Sequence, residues 1–350
     1  MKKQADKQIA RWLILGGILV LVMVMIGGIT RLTHSGLSMV TWQPVRGVLP
    51  PMNEQEWQEA FNAYKQIPEY RRIHFYFTLQ DFKKIFFWEY VHRMLGRLLG
   101  LVFFIPFIYF IIRGKIRSKK LFYRLLLIFF LGGLQGLAGW YMVKSGLVER
   151  TEVDHIRLAL HMTLALLILT TISWTVFQLR YPRKTQTDYP SVNKAVKFFL
   201  VLTIIQIIYG GLTAGLKAGY VFPTYPKMGT HWFPPASVKM FNDEGLMSLL
   251  DFPATVQFIH RWLGFVVMLM VLIFIFYESR KIKSALLRKV LIAAGGLVLL
   301  QYTLGILVIL TKVHLHVAVT HQLTAFVLYL TLLFALFLSR KRTAVFEETK

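Results

Sequence analysis

Hydrophobic residues dominate this chain in long runs that are separated by short basic tracts and by two longer polar stretches. Each run approaches 20 residues, the length that an α-helix needs to cross the apolar part of a bilayer. We therefore expect an all-α integral membrane protein with about eight transmembrane helices. They lie near Trp12–Thr30, Glu89–Ile112, Leu121–Val143, Arg157–Leu179, Ala195–Leu216, Thr255–Tyr277, Leu286–Leu310 and Val317–Leu338.

The basic tracts predict how the chain lies in the membrane. RGKIRSKK, RYPRK, SRKIKSALLRK, SRKR and the basic N-terminus all fall on one side of the eight-helix scheme. Because Lys and Arg concentrate in cytoplasmic loops, we expect both termini in the cytoplasm and the polar stretches 31–87 and 217–254 outside. The first apolar run has no small-residue cleavage site, which predicts an uncleaved first helix in a prokaryotic cell membrane.

The amino-acid composition limits the kinds of functional site that the chain can contain. Its 350 residues are 55% hydrophobic, with a formal net charge of +24 and no cysteine. Because the positive charge lies between apolar runs, it favours membrane orientation and lipid contact over nucleic-acid binding. The lack of cysteine excludes disulfides, iron–sulfur clusters, thiolate metal sites and cysteine nucleophiles. A cofactor would have to be held by His, Met, Tyr or carboxylate side chains.

The two halves of the sequence share ordered landmarks. GGITRLTHSGLSMVTWQPVRGVLPP corresponds to GGLTAGLKAGYVFPTYPKMGTHWFPP, HRMLG to HRWLG, and HMTLA to HQLTA. This pattern predicts a tandem duplication of a four-helix unit, with residues 1–185 and 186–350 forming two pseudo-symmetric bundles. Because each unit has an even number of spans, both copies have the same orientation and can be related by an axis along the membrane normal.

Each half contributes one histidine to its second span and one to its fourth: His92 and His161, then His260 and His321. A lone histidine in a membrane is more often a hydrogen-bonded packing residue, but polar groups at duplicated positions favour a functional site. Two facing imidazoles in a four-helix bundle can hold one haem iron, whereas a structural zinc site usually needs four ligands. We expect most of the other histidines to be solvated or interfacial; they are His34, His74, His155, His231, His314 and His316.

Residues next to these histidines fit a flat, acidic ligand. Gly96 and Gly264 each follow a histidine by one helical turn, which would clear a helix face for a porphyrin or serve helix packing. Arg93 and Arg261 could each bind a haem propionate bidentately or extend to lipid headgroups.

One difference breaks the symmetry of the halves. Glu89 lies one turn before His92 on the same helix face, whereas the corresponding residue in the second half is Gln257. A carboxylate can accept a proton or stabilise developing positive charge, and an amide cannot. We infer that the N-terminal bundle holds a reacting molecule and the C-terminal bundle a permanent cofactor. The alternative is that Glu89 only pairs with Arg93.

With these motifs in place, the sequence resembles the haem A synthase family over nearly its whole length. The resemblance rests on GGITRLTHSGLSMVTWQPVRGVLPP, PEY, EYVHRMLGR, AGYVFPTYPKMGTHWFPP and QFIHRWLGF. It implies an enzyme for terminal oxidase biogenesis that oxidises the C8 methyl group of haem O to the formyl group of haem A, with water as the oxygen source. Some members have a cysteine pair in the first outer loop, so the resemblance is to the cysteine-free branch.

The resemblance also implies residue roles. His260 and His321 correspond to the ligands of the haem b cofactor, and His92 and His161 to the pair that binds the substrate haem. Glu89 corresponds to the essential acidic residue of the family.

Two other functions share some of these features. A di-haem b, quinol-linked electron carrier would use the same histidines without explaining Glu89, and a haem transporter would be expected to have helices broken near mid-membrane. The electron acceptor stays unknown, and a haem O synthase and a second copy of the chain stay candidate partners.

Overall fold

A computed structural model of the chain describes residues 2–41, 48–148, 150–181 and 188–341. Regular structure within these ranges is helical, and eight of the helices are long and apolar enough to cross a membrane, as predicted. In chain order the helices are α1 (Lys2–Leu32), α2 (Glu54–Tyr64), α3 (Leu79–Ile112), α4 (Lys119–Val148), α5 (His155–Arg180), α6 (Pro190–Gly215), α7 (Pro235–Glu244), α8 (Ser248–Asp251), α9 (Pro253–Glu278), α10 (Ala285–Leu310) and α11 (Leu315–Leu338).

Large apolar side chains are exposed along the spanning helices. Leu15, Ile105, Phe130 and Phe276 are each at least half exposed. An exposed apolar surface of this extent is expected where lipid takes the place of water. The chain is therefore a multi-pass membrane protein.

The long helices pack as two sets of neighbours. In the first half α1 and α4 each contact α3 and α5, and in the second half α6 and α10 each contact α9 and α11. The two sets meet where α5 packs on α6 and α1 packs on α11. The expected boundary between the halves, at residues 185 and 186, lies outside the described residues.

Helix α3 begins much earlier than the hydrophobic run predicted. Its N-cap is Thr78, whose side chain accepts from the Asp81 amide while the Asp81 carboxylate accepts from the Thr78 amide. The predicted start at Glu89 is wrong by ten residues because the first turns are amphipathic. Phe82 and Phe86 are buried, whereas Lys84 is exposed and lowers the local hydropathy. Glu89 consequently lies about three turns inside the helix.

The first turns of α3 are covered by α2 and the segment that follows it as far as Phe77, which we call the cap. Its apolar interior joins this segment to the loop after α1 and to α3. The buried members are Leu37, Phe61, Tyr64, Ile67, Phe82, Ile85 and Phe86. The cap therefore closes the end of the first half at which Glu89 lies.

Candidate functional site

His260 on α9 and His321 on α11 face each other as the sequence predicted. Their ring centres are 6.3 Å apart and their planes are nearly perpendicular, at 89°. A metal–imidazole bond is about 2.0–2.1 Å and the bonding nitrogen lies about 1.1 Å from the ring centre, so two imidazoles on opposite sides of one metal ion have centres roughly 6.3 Å apart. The observed separation fits a shared metal ion.

Gln301 contacts both ring nitrogens of His321, with its side-chain amide nitrogen 3.4 Å from Nε2. The His321 Nδ1 lies 3.1 Å from the backbone oxygen of Gln301, so Nδ1 carries the proton and donates it. Metal-binding histidines usually donate the proton of the second nitrogen in this way, which leaves Nε2 unprotonated for the metal. In His260 the buried Nδ1 has no hydrogen-bond partner in the described part of the chain. Both rings thus suit a ligand placed between them.

Each of the four histidines packs against a glycine on another membrane-spanning helix. That helix is the one that comes immediately before the histidine's own among the eight spanning helices. A Cβ atom at these glycines would lie 3.3 Å from His92 Nε2 at Gly27, 3.1 Å from His161 Cε1 at Gly139, 3.3 Å from His260 Cε1 at Gly210 and 3.0 Å from His321 Cε1 at Gly305. Contacts this short would push the rings away. The glycines allow all four imidazoles to lie directly against a neighbouring backbone.

Gly96 and Gly264, which the sequence singled out, face other side chains. A Cβ at Gly96 would lie 3.3 Å from the methyl group of Met23, and one at Gly264 would lie 2.9 Å from the Gln206 amide. The space beside these glycines is therefore filled by side chains of α1 and α6. Both glycines thus let neighbouring helices approach, and Gly264 also lines the cavity around His260 and His321.

A cavity surrounds the His260–His321 pair. Besides both rings it is lined by Arg261 of α9 and by Lys217 in the loop after α6, and α1 contributes Gly28 and Arg31. Of these three basic side chains Lys217 is ion-paired with Glu152, and the positive charge at the cavity suits an acidic ligand such as a haem with its propionates. The first half of the chain thus helps to build the site in the second half.

The other pair, His92 on α3 and His161 on α5, is close enough for the two rings to interact electrostatically. The buried His161 Nδ1 has no hydrogen-bond partner within the described ranges. Gln135 of α4 donates to the His161 backbone oxygen at 3.1 Å, and its amide nitrogen lies 3.3 Å from His161 Nε2. This site therefore resembles the site in the second half.

Glu89 is buried, with 3% of its surface exposed, and both of its carboxylate oxygens accept hydrogen bonds. Oε1 accepts from the Arg93 guanidinium at 2.6 Å. Oε2 accepts from the Ser38 hydroxyl and from the Met39 amide, each at 2.7 Å. These donors hold a charged oxygen in a fixed direction.

Gln257 has different surroundings at the matching position. Its amide nitrogen donates to the Phe222 backbone oxygen at 3.2 Å, and its side-chain oxygen is buried without a partner in the described residues. In the duplicated alignment Val221 corresponds to Ser38, so the hydroxyl donor is missing as well as the carboxylate. The exchange of Glu for Gln is therefore accompanied by a change in the loop that faces it.

Arg93 and Arg261 each donate hydrogen bonds to backbone oxygens of the loop that lies against their helix. Arg93 donates to the backbone oxygens of Met39 at 2.8 Å and Thr41 at 3.3 Å, in addition to its ion pair with Glu89. Arg261 donates to the backbone oxygens of Phe222, Pro226 and Lys227, and its buried Nε has no partner among the described residues. The Arg93–Glu89 pairing that the sequence left as an alternative is therefore present.

The structure offers no conventional multidentate metal site in the ranges that it describes. No group of three His, Cys, Asp or Glu side chains comes together there. Two pairs of histidines instead suit a group that brings most of its own metal ligands, as a porphyrin does.

Comparison with known proteins decides the family. The model of the cytochrome oxidase assembly protein family, COX15-CtaA, matches residues 10–333. The chain belongs to this family.

Similar proteins cover the chain almost completely. A protein of Flavobacterium psychrophilum named Heme A synthase is 40% identical over 334 residues, which are 95% of this chain and 98% of that protein. Proteins of the same name from Rhizorhabdus wittichii and Wolbachia pipientis are 42% identical over 328 residues and 40% identical over 340 residues, and they cover 93% and 96% of this chain. These alignments include 92% and 94% of the two proteins. The resemblance drawn from the motifs is confirmed.

Sequence reasoning missed part of the surroundings of the histidines in this family member. Three of the four glycines that face a histidine are preceded, four residues earlier, by a glutamine: Gln135, Gln206 and Gln301. Gln206 donates to the His260 backbone oxygen at 2.7 Å, and the Gln301 amide lies 3.4 Å from His321 Nε2. The repeated Gln-x-x-x-Gly spacing was visible in the sequence. The fourth copy, beside His92, has Met23 in place of the glutamine.

Proposed function

We propose that this protein is a haem A synthase that oxidises the C8 methyl group of haem O to the formyl group of haem A, with water as the oxygen source. Its product would serve terminal oxidase biogenesis. The observation that carries the proposal is the contrast between two similar histidine pairs, of which only one has a buried carboxylate on the preceding helical turn. A chain with two identical cofactor sites would not need this difference.

In this proposal the second half holds haem b between His260 and His321. The Nδ1–H of His321 donates to the Gln301 backbone oxygen, so Nε2 would be the nitrogen that holds the haem. Arg261, with its unpaired Nε, supplies a positive charge for a propionate. Haem b, when bound, supplies a one-electron relay at this position.

The first half binds the substrate, haem O, between His92 and His161. Gly27 and Gly139 allow the two rings to lie against the neighbouring helices. Met23 presents an apolar methyl group where the cofactor half has an amide. An apolar wall favours the uncharged edge of a porphyrin over its propionates.

Glu89 acts on the reacting edge of the substrate. Oxidation of a methyl group with water removes electrons and protons and creates positive charge beside the ring. A buried carboxylate held by Ser38, Met39 and Arg93 can stabilise that charge or accept a proton, with little reorganisation because its donors are already in place. Arg93 therefore orients Glu89 and, where a propionate is within reach, also binds the substrate.

The arrangement in the membrane completes the proposal. Residues 1–185 form the substrate bundle and residues 186–350 the cofactor bundle, with both termini in the cytoplasm of a prokaryotic cell and the cap outside. This follows from the basic tracts between α3 and α4 and between α9 and α10, which lie at the ends opposite the cap. The electron acceptor, a haem O synthase that supplies substrate, and a second copy of the chain are the partners that we include.

Pigment analysis of the purified protein tests the proposed function against its rivals. Solvent extraction and mass analysis should yield haem b together with haem O or haem A. Haem b alone would favour the di-haem electron carrier, and a protein without tightly held pigment would favour the transporter. Either of these two results would overturn the proposal.

A further inference from the structure

The cap contains a buried group of titratable side chains that the proposed site does not use. Tyr64, Glu69 and His74 are 0%, 3% and 5% exposed. His74 is therefore an exception to the expectation that most of the loop histidines are solvated or interfacial. The hydroxyl of Tyr64 lies 2.6 Å from His74 Nδ1 and 3.1 Å from Glu69 Oε2, so it bridges the imidazole and the carboxyl group.

One hydroxyl has a single proton and cannot donate to both neighbours at once. If Tyr64 donates to His74 Nδ1, it accepts the proton of a neutral Glu69 carboxylic acid. If it donates to a Glu69 carboxylate, it accepts from a protonated His74 Nδ1. The same positions of the three side chains are thus compatible with two arrangements of the protons. Moving each proton to the next side chain along the hydrogen bonds converts one arrangement into the other.

The charges around the cluster favour the first arrangement at neutral pH. Burial raises the pKa of Glu69 to about 8, with the charges of Glu89 and Glu152 acting in the same direction and the Tyr64 hydroxyl and Lys217 opposing it. Burial lowers the pKa of His74 to about 4, and the nearby His34 and Lys217 lower it further. Glu69 therefore holds a proton that Tyr64 can accept, and His74 is neutral.

Burial and nearby charges also act on the pKa of the Tyr64 hydroxyl. Burial raises the pKa of Tyr64, and the charges of Glu69, Glu89 and Tyr70 and the hydrogen bond to Glu69 raise it further. Tyr64 consequently keeps its proton and can transfer one only by receiving another. This is the behaviour expected of the middle member of a relay.

On one side the cluster packs on α3 near Glu89, and on the other side it adjoins His34. The Tyr64 ring packs on Phe82 with ring centres 5.2 Å apart, and Phe82 precedes Glu89 by seven residues, about two turns or roughly 10 Å along the same face of α3. At the other end the His74 ring meets the edge of the His34 ring at 6.2 Å. His34 is only partly buried and also faces Lys217, Glu152 and Arg31.

We propose that Glu69, Tyr64 and His74 form a proton relay between the site at Glu89 and the water outside the cap. This inference rests on the proposed function, because oxidising a methyl group with water releases protons in a buried site. Glu69 gives its proton to the Tyr64 oxygen as Tyr64 gives its own to His74 Nδ1. His74 then loses the proton on Nε2 to water, and Glu69 is reprotonated from the side of the site. This leaves His74 with its proton on Nδ1, and a rotation of the ring that turns the unprotonated Nε2 towards Tyr64 prepares the relay for the next proton. These residues position and pass protons and do not touch the substrate.

The Tyr64→Phe variant tests the relay in the full-length protein loaded with haem O. It removes one hydroxyl and keeps the ring that packs on Phe82. Interrupting acid–base transfer typically costs a hundredfold or more when the group acts directly, so for an indirect relay we expect haem A formation to slow by roughly tenfold. The solvent deuterium isotope effect should rise, and haem content should stay unchanged. Tyr70→Phe is the matched control because its hydroxyl takes no part in the bridge, and its rate should be normal.

A second measurement does not depend on activity. Infrared spectra of the wild-type protein should contain a protonated carboxyl band that disappears with a midpoint near pH 8 and is missing in Glu69→Gln. If Tyr64→Phe does not load haem, Glu69→Gln takes over the rate test, with a loss of the pH dependence near 8 expected. A wild-type protein that makes no haem A would refute the proposed function alone. Absence of the titrating band, or a normal rate and isotope effect in Tyr64→Phe beside an active wild type, would refute the relay.

Discussion

The hydroxyl of Ser38 donates a 2.7 Å hydrogen bond to the carboxylate of Glu89, joining the loop after α1 to the first third of α3. In the second half Val221 and Gln257 occupy the corresponding positions and cannot form such a bond. The difference between the halves therefore involves both partners of a contact.

Replacing Ser38 by Ala should weaken the reaction without removing the cofactor. A hydrogen bond to a charged group contributes about 1.5–3 kcal/mol, and the Met39 amide and Arg93 would still hold Glu89, so we expect haem A formation to fall on the order of tenfold. Val221→Ala is the matched control in the second half and should leave the rate unchanged. Equal rates for Ser38→Ala and the wild type would show that this hydrogen bond does not contribute to haem A formation.

The two histidine pairs should divide between cofactor and substrate. His260→Ala and His321→Ala should each remove or alter the haem b spectrum because each deletes one of the two histidines proposed to hold the haem. His92→Ala should mainly reduce the content of haem O or haem A. The measurement is the optical spectrum together with extracted pigment. An unchanged low-spin haem b spectrum in both variants of the second half would contradict the assignment.

Gly305 should be required for haem b binding although it carries no side chain. In Gly305→Ala the new methyl carbon would lie 3.0 Å from the His321 ring and would push it towards the cavity. We expect a weakened or shifted haem b spectrum. Gly296→Ala in the same helix is the control, because a Cβ there meets no atom within 4 Å. Similar spectra for the two variants would show that the close approach of the α10 backbone to the His321 ring is not required for haem b binding.

The orientation in the membrane can be measured with reporter fusions. A reporter that is active only outside the cell should work when fused near Glu54 or Met240, which lie at the end of the molecule that carries the cap and α7. It should fail near Lys115 or Lys283, which lie in the basic tracts. The opposite result at either pair of positions would refute the orientation and place both histidine pairs near the cytoplasm.

How much of this could be predicted differs from feature to feature. The eight spans were predictable because lipid thickness fixes the length of an apolar run. The start of α3 was not, because Lys83 and Lys84 alternate with the buried Phe82 and Phe86, and a hydropathy window averages over both faces. Such a boundary depends on what covers the helix, here α2 of the cap.

The same distinction holds for the site. The four histidines were predictable because duplication marks them twice, and the family follows from motifs along the whole chain. The glycines that face the rings lie on other helices, and the packing of α1 on α3, α4 on α5, α6 on α9 and α10 on α11 brings them there. His74 lies in a polar segment, and its burial follows from its contacts with Tyr64 and Phe77 in the folded cap.

The central claim is that Glu89 takes part in the chemistry, and the Glu89→Gln variant tests it most directly because it copies the residue of the cofactor half. Haem A should be measured in cells that lack their native enzyme, with Glu59→Gln, an exposed carboxylate of α2, as the control. The Glu89→Gln protein should insert, carry haem b and bind haem O. Losing one charge-stabilising group costs about 2.7–4 kcal/mol, so haem A formation should fall roughly a hundredfold to a thousandfold, with haem O or a hydroxylated intermediate accumulating. Near-normal haem A production by Glu89→Gln would contradict the account and leave Glu89 as a structural partner of Arg93.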